Sequence, residues 1–302
     1  MKRAKLTGLF AATLSALLFG MSPALAKFAY QGGSNPLTMT FTRSLLALPF
    51  LILLASLSKI PLKPRKEEVL PVLLVSLFGA FATTLLLYSS YAYMAVGMAT
   101  VLHYLFPVLV MLGGLIFFRE KTNRVKLLAL LLGFSGVLTF VGSGSRLAWQ
   151  GILLAVTSAF TYAVLMIGIE RTVIKEMPVL KMAVYSNTLA CLAALVIGLS
   201  TSSLSLKMTG TAWFISFLVA LMVAVGAFTL LNLAVVKTGA TTTAIVAMLE
   251  PLTSVLMGVL LLREKVTPLN LLGFALIMAG VLLVSLSAWK GDLPKQSSET
   301  EL

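Results

Sequence analysis

The sequence predicts an all-α polytopic membrane protein with ten transmembrane helices, folded as two inverted five-helix repeats. Three observations carry that prediction. Hydrophobic residues make up 59% of the 302-residue chain and charged residues 11%, with a mean hydropathy of +1.02, well outside the balance of a soluble globular protein. Apolar runs long enough to cross a bilayer, about 20 residues at roughly 1.5 Å rise each, recur ten times. At a constant offset of 144 residues, Leu112, Gly114, Arg119, Glu120, Lys121, Gly136, Val137 and Leu138 match Leu256, Gly258, Arg263, Glu264, Lys265, Gly280, Val281 and Leu282. Strands of a membrane barrel would instead alternate polarity over about 10 residues, and no such alternation is present.

The spans lie near residues 6–28, 36–58, 69–94, 98–118, 125–142, 150–170, 180–200, 211–235, 241–262 and 268–288. Span 1 imitates a secretory signal, with Lys2, Arg3 and Lys5 ahead of an apolar stretch ending in Ala24-Leu25-Ala26. That stretch exceeds the roughly 7–15 residues of a signal core. It also matches span 6 at an offset of 143, Gly8 with Gly151, Ala16 with Ala159 and Phe19 with Tyr162, so it reads as a retained helix. Spans 2 and 7 carry Arg43 and its counterpart Tyr185, and span 7 holds the single cysteine, Cys191, a small apolar residue with no internal disulfide partner.

Spans 4 and 9 are interrupted halfway by Pro107 and Pro251, each followed twelve residues later by Arg-Glu-Lys. Broken helices at corresponding places of two halves are the strongest sequence pointer to a carrier's binding site, because the breaks free backbone polar groups beside a cavity. Small residues such as Gly113, Gly114, Gly133, Gly136, Gly273 and Gly280 suit close helix packing. Residues 1–144 form the first repeat, 145–289 the second, and 290–302 a polar tail expected to be disordered. Five spans per repeat is an odd number, so the second repeat enters the membrane from the opposite face.

A formal charge of +13 would suggest nucleic acid in a soluble chain, but here the distribution matters more. With both termini in the cytoplasm, seventeen Lys and Arg fall on the cytoplasmic side against five outside, namely Lys27, Arg146, Lys207, Arg263 and Lys265. The positive-inside rule therefore accounts for the basic balance with the bilayer as partner and no nucleic acid. A multi-pass protein of the cytoplasmic (inner) membrane is expected.

Charged groups near the bilayer centre cost about 2.5–3.5 kcal/mol on insertion scales, so each calls for a partner or a role. Glu250 precedes Pro251 within the stripe Thr243, Ala247, Glu250, Ser254, Gly258 on one helical face. It is a candidate cavity carboxylate for a solute amine or a proton, or else a structural acid bonded to freed backbone. Its first-repeat counterpart is Phe106, so the symmetry is broken there. Arg43 either attracts a solute carboxylate or serves a structural role, snorkelling or pairing with the other half, and the structural role is favoured. His103 with Tyr104, Tyr88 with Tyr91 one turn apart, Asn232 on span 8, and Tyr162 and Ser158 on span 6 are further candidates for the cavity wall, each set against plain interhelical hydrogen bonding. Arg119 with Glu120 and Arg263 with Glu264 sit at helix ends, where ion pairing or gating is expected.

Ten spans in two halves, the Pro107 and Pro251 spans, and Glu120 and Glu264 each preceding a Gly-Val-Leu helix resemble the drug/metabolite transporter superfamily, EamA type. The resemblance covers nearly the whole chain. It implies transport of a small-molecule solute, often amino-acid export, through a cavity lined chiefly by spans 1, 3, 4, 6, 8 and 9. Any coupling to protons is expected to rest on Glu250 and His103, and no cofactor is expected. A lipid-acting membrane enzyme is the alternative, yet one His and a single Asp, Asp292 in the tail, supply neither a metal cluster nor a catalytic dyad. A phosphate-binding Gly-rich loop is missing as well, which argues against ATP-driven pumping by this chain. A scaffold or receptor would need larger loops.

Overall fold

A computed structural model describes residues 2–119, 124–141, 146–238, 243 and 246–292 of the chain. Among the described residues every regular element is helical. Span 1 is α1 (Lys2–Gln31) and span 2 is α2 (Pro36–Leu57). Span 3 comprises α3 (Lys66–Leu74), a π-helical segment (Val75–Phe81) and α4 (Ala82–Ser90); span 4 is divided into α5 (Val96–His103) and α6 (Phe106–Phe117); span 5 is α7 (Arg124–Val141). In the second half, α8 (Arg146–Arg171) and α9 (Val179–Ser200) form spans 6 and 7. Span 8 comprises α10 (Gly210–Ala220), a second π-helical segment (Leu221–Ala227) and α11 (Phe228–Thr238), and α12 (Leu249–Leu262) and α13 (Pro268–Asp292) close spans 9 and 10. Seven of these spans are long and apolar enough to cross a membrane, and Leu127–Gly136, Leu249–Leu262 and Pro268–Leu283 are shorter apolar stretches in the remaining three.

Local chemistry explains the helix ends. Asn35 caps α2 by accepting from the Thr38 amide at 2.8 Å, and Pro36 occupies the first helical position, where a missing N–H costs nothing. Lys59 and Ser202 follow spans 2 and 7 in the left-handed region at φ 55° and 52°, and Arg119 and Arg263 follow spans 4 and 9 at φ 53° and 55°. The same unfavourable turn is thus used twice in each repeat, at matching places.

The halves pack as a pseudo-symmetric pair. α1 lies against α10, α11 and α12, just as α8 lies against α4, α5 and α6; α2 packs on α9, and α7 on α13. Glycines permit the closest approaches. A Cβ at Gly136 would stand 3.0 Å from the Gly273 carbonyl oxygen, and one at Gly280 would stand 2.9 Å from that of Ala129, so the α7–α13 contact is backbone on backbone. Phe10, Leu53, Leu70, Phe117, Leu199, Phe214 and Leu260 remain exposed, as a surface bathed in lipid requires.

Several boundaries differ from expectation. Span 3 ends at Ser90, and Tyr91 begins a turn. Spans 4 and 9 are broken as expected, but the breaks fall at Tyr104–Leu105 and Met248, a few residues ahead of the prolines, so Pro107 and Pro251 sit in the first turn of the second half-helices. The last helix runs to Asp292, three residues into the expected tail, and the tail beyond it lies outside the described residues.

A buried ion cluster fastens the N-terminal face. The Glu68 carboxylate accepts from Lys181 Nζ, Arg65 Nε and the Arg65 amide, each at 2.8 Å, and the side chains of Glu68 and Lys181 are only 1% and 5% exposed. These contacts join the start of span 3 to the start of span 7. Tyr185, expected as the opposite number of Arg43, instead donates to the Leu62 carbonyl.

Candidate functional site

The two helix breaks face one another across the molecule. Pro251 has no N–H, so the Ala247 carbonyl four residues earlier loses its helical donor. The Tyr104 hydroxyl, carried by the other broken span, donates to that carbonyl at 2.7 Å and lies 3.2 Å from Glu250 Oε2. One side chain thereby satisfies the defect that the proline creates, and links spans 4 and 9. One turn further along, Thr100 and Ser254 hydroxyls meet at 2.9 Å, and a Cβ at Gly97 would collide with Val255 Cα at 2.5 Å.

Around this link lies a cavity of about 390 Å³, the size range of small-metabolite sites. Of the expected residues, Tyr88, Tyr91, His103, Tyr104, Tyr162, Thr243 and Glu250 line it. Arg43, expected as a structural charge, lines it too. Its Nη2 donates to Thr84 Oγ1 at 3.2 Å, its guanidinium stands 6.0 Å from the Tyr88 ring centre, and its buried Nε has no hydrogen-bond partner among the described residues. Neither Arg43 nor Glu250 forms an ion pair within the described residues; Tyr104 is the hydrogen-bond neighbour of Glu250. One basic and one acidic side chain therefore share a cavity without pairing with each other.

Other side chains complete the wall. Phe106 and Tyr162 meet edge-on at 4.6 Å, with Tyr104 5.6 Å from Phe106, and the Tyr88 and Tyr91 rings are tilted against each other at 5.7 Å. Ser158 does not line the cavity: it is fully buried behind His103, 2.9 Å from Nδ1. The Asn232 side chain and Glu120 lie outside the described residues. Pro107 is not among the lining residues, and Pro251 is buried at the start of α12. Span 2 joins the expected lining spans through Arg43, and Ser15, Phe19, Thr83 and Thr84 also contribute. Serines and threonines at mid-span were the available signal for these, but their number along the chain hid it.

The cavity is asymmetric in depth. Its lining runs toward the N-terminal face as far as Leu231 and Thr243, but toward the opposite face it stops at Tyr91. Beyond Tyr91, Glu264 folds back across the end of span 4. Both its oxygens accept from the Val96 amide, at 2.9 and 3.0 Å, and Oε1 lies 3.1 Å from Lys27 Nζ, which also donates to the Met94 carbonyl at 3.0 Å. The carboxylate thus caps α5, a helix with no side-chain cap of its own, and ties spans 1, 4 and 9 together. The left-handed Arg263 makes the reversal, and Gly258 leaves room for it, since a Cβ there would collide with Glu264 Oε2. The partner is Lys27, not the adjacent Arg263 or Lys265; Arg119 is exposed at the opposite end of span 4.

A helical fold among the described residues, with a cavity between two broken helices, is an architecture found in membrane transporters. Comparison with known proteins agrees with that class. The EamA-like transporter family matches this sequence twice, over residues 6–142 and 149–286, one match for each five-helix half, and the chain belongs to that family. The uncharacterized transporter YvbV of Bacillus subtilis (strain 168) is 29% identical over 279 residues, covering 89% of this chain and 88% of that protein. A second uncharacterized transporter of that organism, YxxF, is 30% identical over 166 residues, 53% of this chain and 52% of its own length. A solved structure described only as "Crystal structure of protein" shares the fold with a TM-score of 0.65 at 20% identity, covering 95% of this chain and 99% of that one.

Proposed function

We propose that this chain is a secondary transporter that exports small dipolar metabolites, such as amino acids or related amphipathic solutes, across the cytoplasmic membrane by alternating access. The supporting observation is the coexistence of Arg43 and Glu250 in one cavity, without ion-pair partners among the described residues. A solute carboxylate complements the guanidinium, a solute amine complements the carboxylate, and the rings of Phe106, Tyr162 and Tyr88 offer faces to an apolar or cationic portion. Glu250 can hold a proton when the amine is absent, which would couple export to proton entry.

The same geometry is in keeping with export. With both termini cytoplasmic, the Lys27–Glu264 contact closes the outer side while the lining extends toward the cytoplasm, a form that loads from within. Two inverted halves supply the second, outward form at similar energy.

The test is counterflow in sealed liposomes, reading exchange of labelled for unlabelled amino acids. Glu250→Gln should lower exchange at least about tenfold, the scale of one lost charge-assisted hydrogen bond, with membrane insertion intact. Wild-type rates in that variant would remove Glu250 from the mechanism, and failure of the native protein to exchange any dipolar solute would overturn the reading.

A further inference from the structure

The chain has a single histidine, His103, and its surroundings decide which ring nitrogen carries hydrogen. The Ser158 hydroxyl lies 2.6 Å from the Ala155 carbonyl oxygen. Two oxygens approach so closely only with the hydroxyl hydrogen between them, because a carbonyl has none to give. The one donor of Ser158 is therefore engaged, and in its 2.9 Å contact with His103 Nδ1 the ring nitrogen donates and the hydroxyl oxygen accepts.

A neutral imidazole with hydrogen on Nδ1 presents Nε2 as a lone-pair acceptor. Among the described residues Nε2 has no hydrogen-bond partner, and it is not one of the sealed, unpartnered polar atoms of the interior. His103 lines the cavity. Tyr162 at 5.2 Å, edge-on, and Phe106 at 5.8 Å hold the ring, so packing opposes the flip that would exchange its nitrogens.

We propose that His103 is a specificity-determining acceptor, selecting solutes that carry a neutral O–H or N–H donor in addition to their amine and carboxylate. This rests on the transport reading above. Arg43 can only donate and an ionised Glu250 can only accept, so a dipolar headgroup satisfies both. The lone pair on Nε2 is a third polar point. A solute that excludes water from it without supplying a donor leaves it bare, and sites built around such a hydrogen bond discriminate strongly against analogues that lack the donor.

Two measurements test this. The intact protein, labelled with 15N-histidine and carrying a histidine-free affinity tag, gives one imidazole signal set that needs no assignment. Hydrogen on Nδ1 and a bare Nε2 are expected, with the Nε2 resonance moving upfield on adding a hydroxyl-bearing solute and staying in place with its hydrocarbon counterpart. Hydrogen on Nε2 instead would overturn the proposal. In liposome counterflow, the hydroxyl member of at least one of the pairs serine and alanine, threonine and valine, or tyrosine and phenylalanine should be preferred about tenfold or more in kcat/KM. His103→Phe and Ser158→Ala should each bring that ratio to within about twofold of unity. Exchange with no preference in the native protein, or a preference unaltered in both variants, would sink the selectivity alone. No exchange of any of the six solutes would sink the transport reading and the selectivity with it.

Discussion

Tyr104 shows how much a single hydroxyl decides at this site. It has one hydrogen and two acceptors, the Ala247 carbonyl at 2.7 Å and Glu250 Oε2 at 3.2 Å, and the shorter contact takes the hydrogen. Tyr104→Phe should expose a backbone carbonyl that Pro251 has already left without a helical donor. The expected loss is about 1–3 kcal/mol of stability, read as a lowered melting midpoint in detergent, with exchange reduced severalfold; an unchanged midpoint would mean that water replaces the hydroxyl fully. Arg43 makes a second prediction at this scale. Lysine keeps the charge but lacks a planar fork and the Nε donor, so Arg43→Lys should raise KM about tenfold for amino acids and leave their decarboxylated amines unaffected. Equal effects on both solute types would return Arg43 to a structural role. The sequence exposed Glu250 and Arg43 because charge inside an apolar run is conspicuous, but it did not place Arg43 beside the cavity, because snorkelling and cavity lining look alike in one dimension.

Among the elements, the broken helices were legible and the fastenings between helices were not. Pro107 and Pro251 declare themselves through proline chemistry, whereas Lys27 and Glu68 read as ordinary charges at span ends until folding brings Glu264 and Lys181 to them. The Glu68–Lys181 pair is buried, so removing one member should cost about 3–5 kcal/mol, while replacing both with apolar residues should cost far less. Thermal melting of Lys181→Met beside the double variant Glu68→Met/Lys181→Met checks this; a double variant no better than the single one would show that the charges are not coupled. Gly258→Ala is a sharper probe of span 9. Its Cβ would displace the Glu264 carboxylate, uncapping α5 without changing any charge, and should expose the cavity on that side, read as faster labelling of a cavity cysteine by an impermeant maleimide.

For the molecule as a whole, the fold class followed from composition and internal repetition, since a bilayer leaves a chain this apolar few alternatives. The closed side of the cavity did not, because it depends on the contact of Lys27 with Glu264, residues that only folding brings together. If the Lys27–Glu264 contact holds the far face shut, Glu264→Gln should expose the cavity there. Leu87→Cys, in a background with Cys191→Ser, should then react severalfold faster with an impermeant maleimide added from that face, and an unaltered rate would show that other contacts seal it. The two π-helical segments, Val75–Phe81 and Leu221–Ala227, carry a consequence for how such a molecule changes state. Each wide turn accommodates one residue beyond the α-helical repeat. Tightening it to α-helical geometry would swing the downstream stretch by about 100° and lengthen its reach by roughly 1.5 Å, turning Tyr88 in one repeat and Leu231 in the other away from the solute. Matching slack in spans 3 and 8 would give the molecule a pair of built-in swivels.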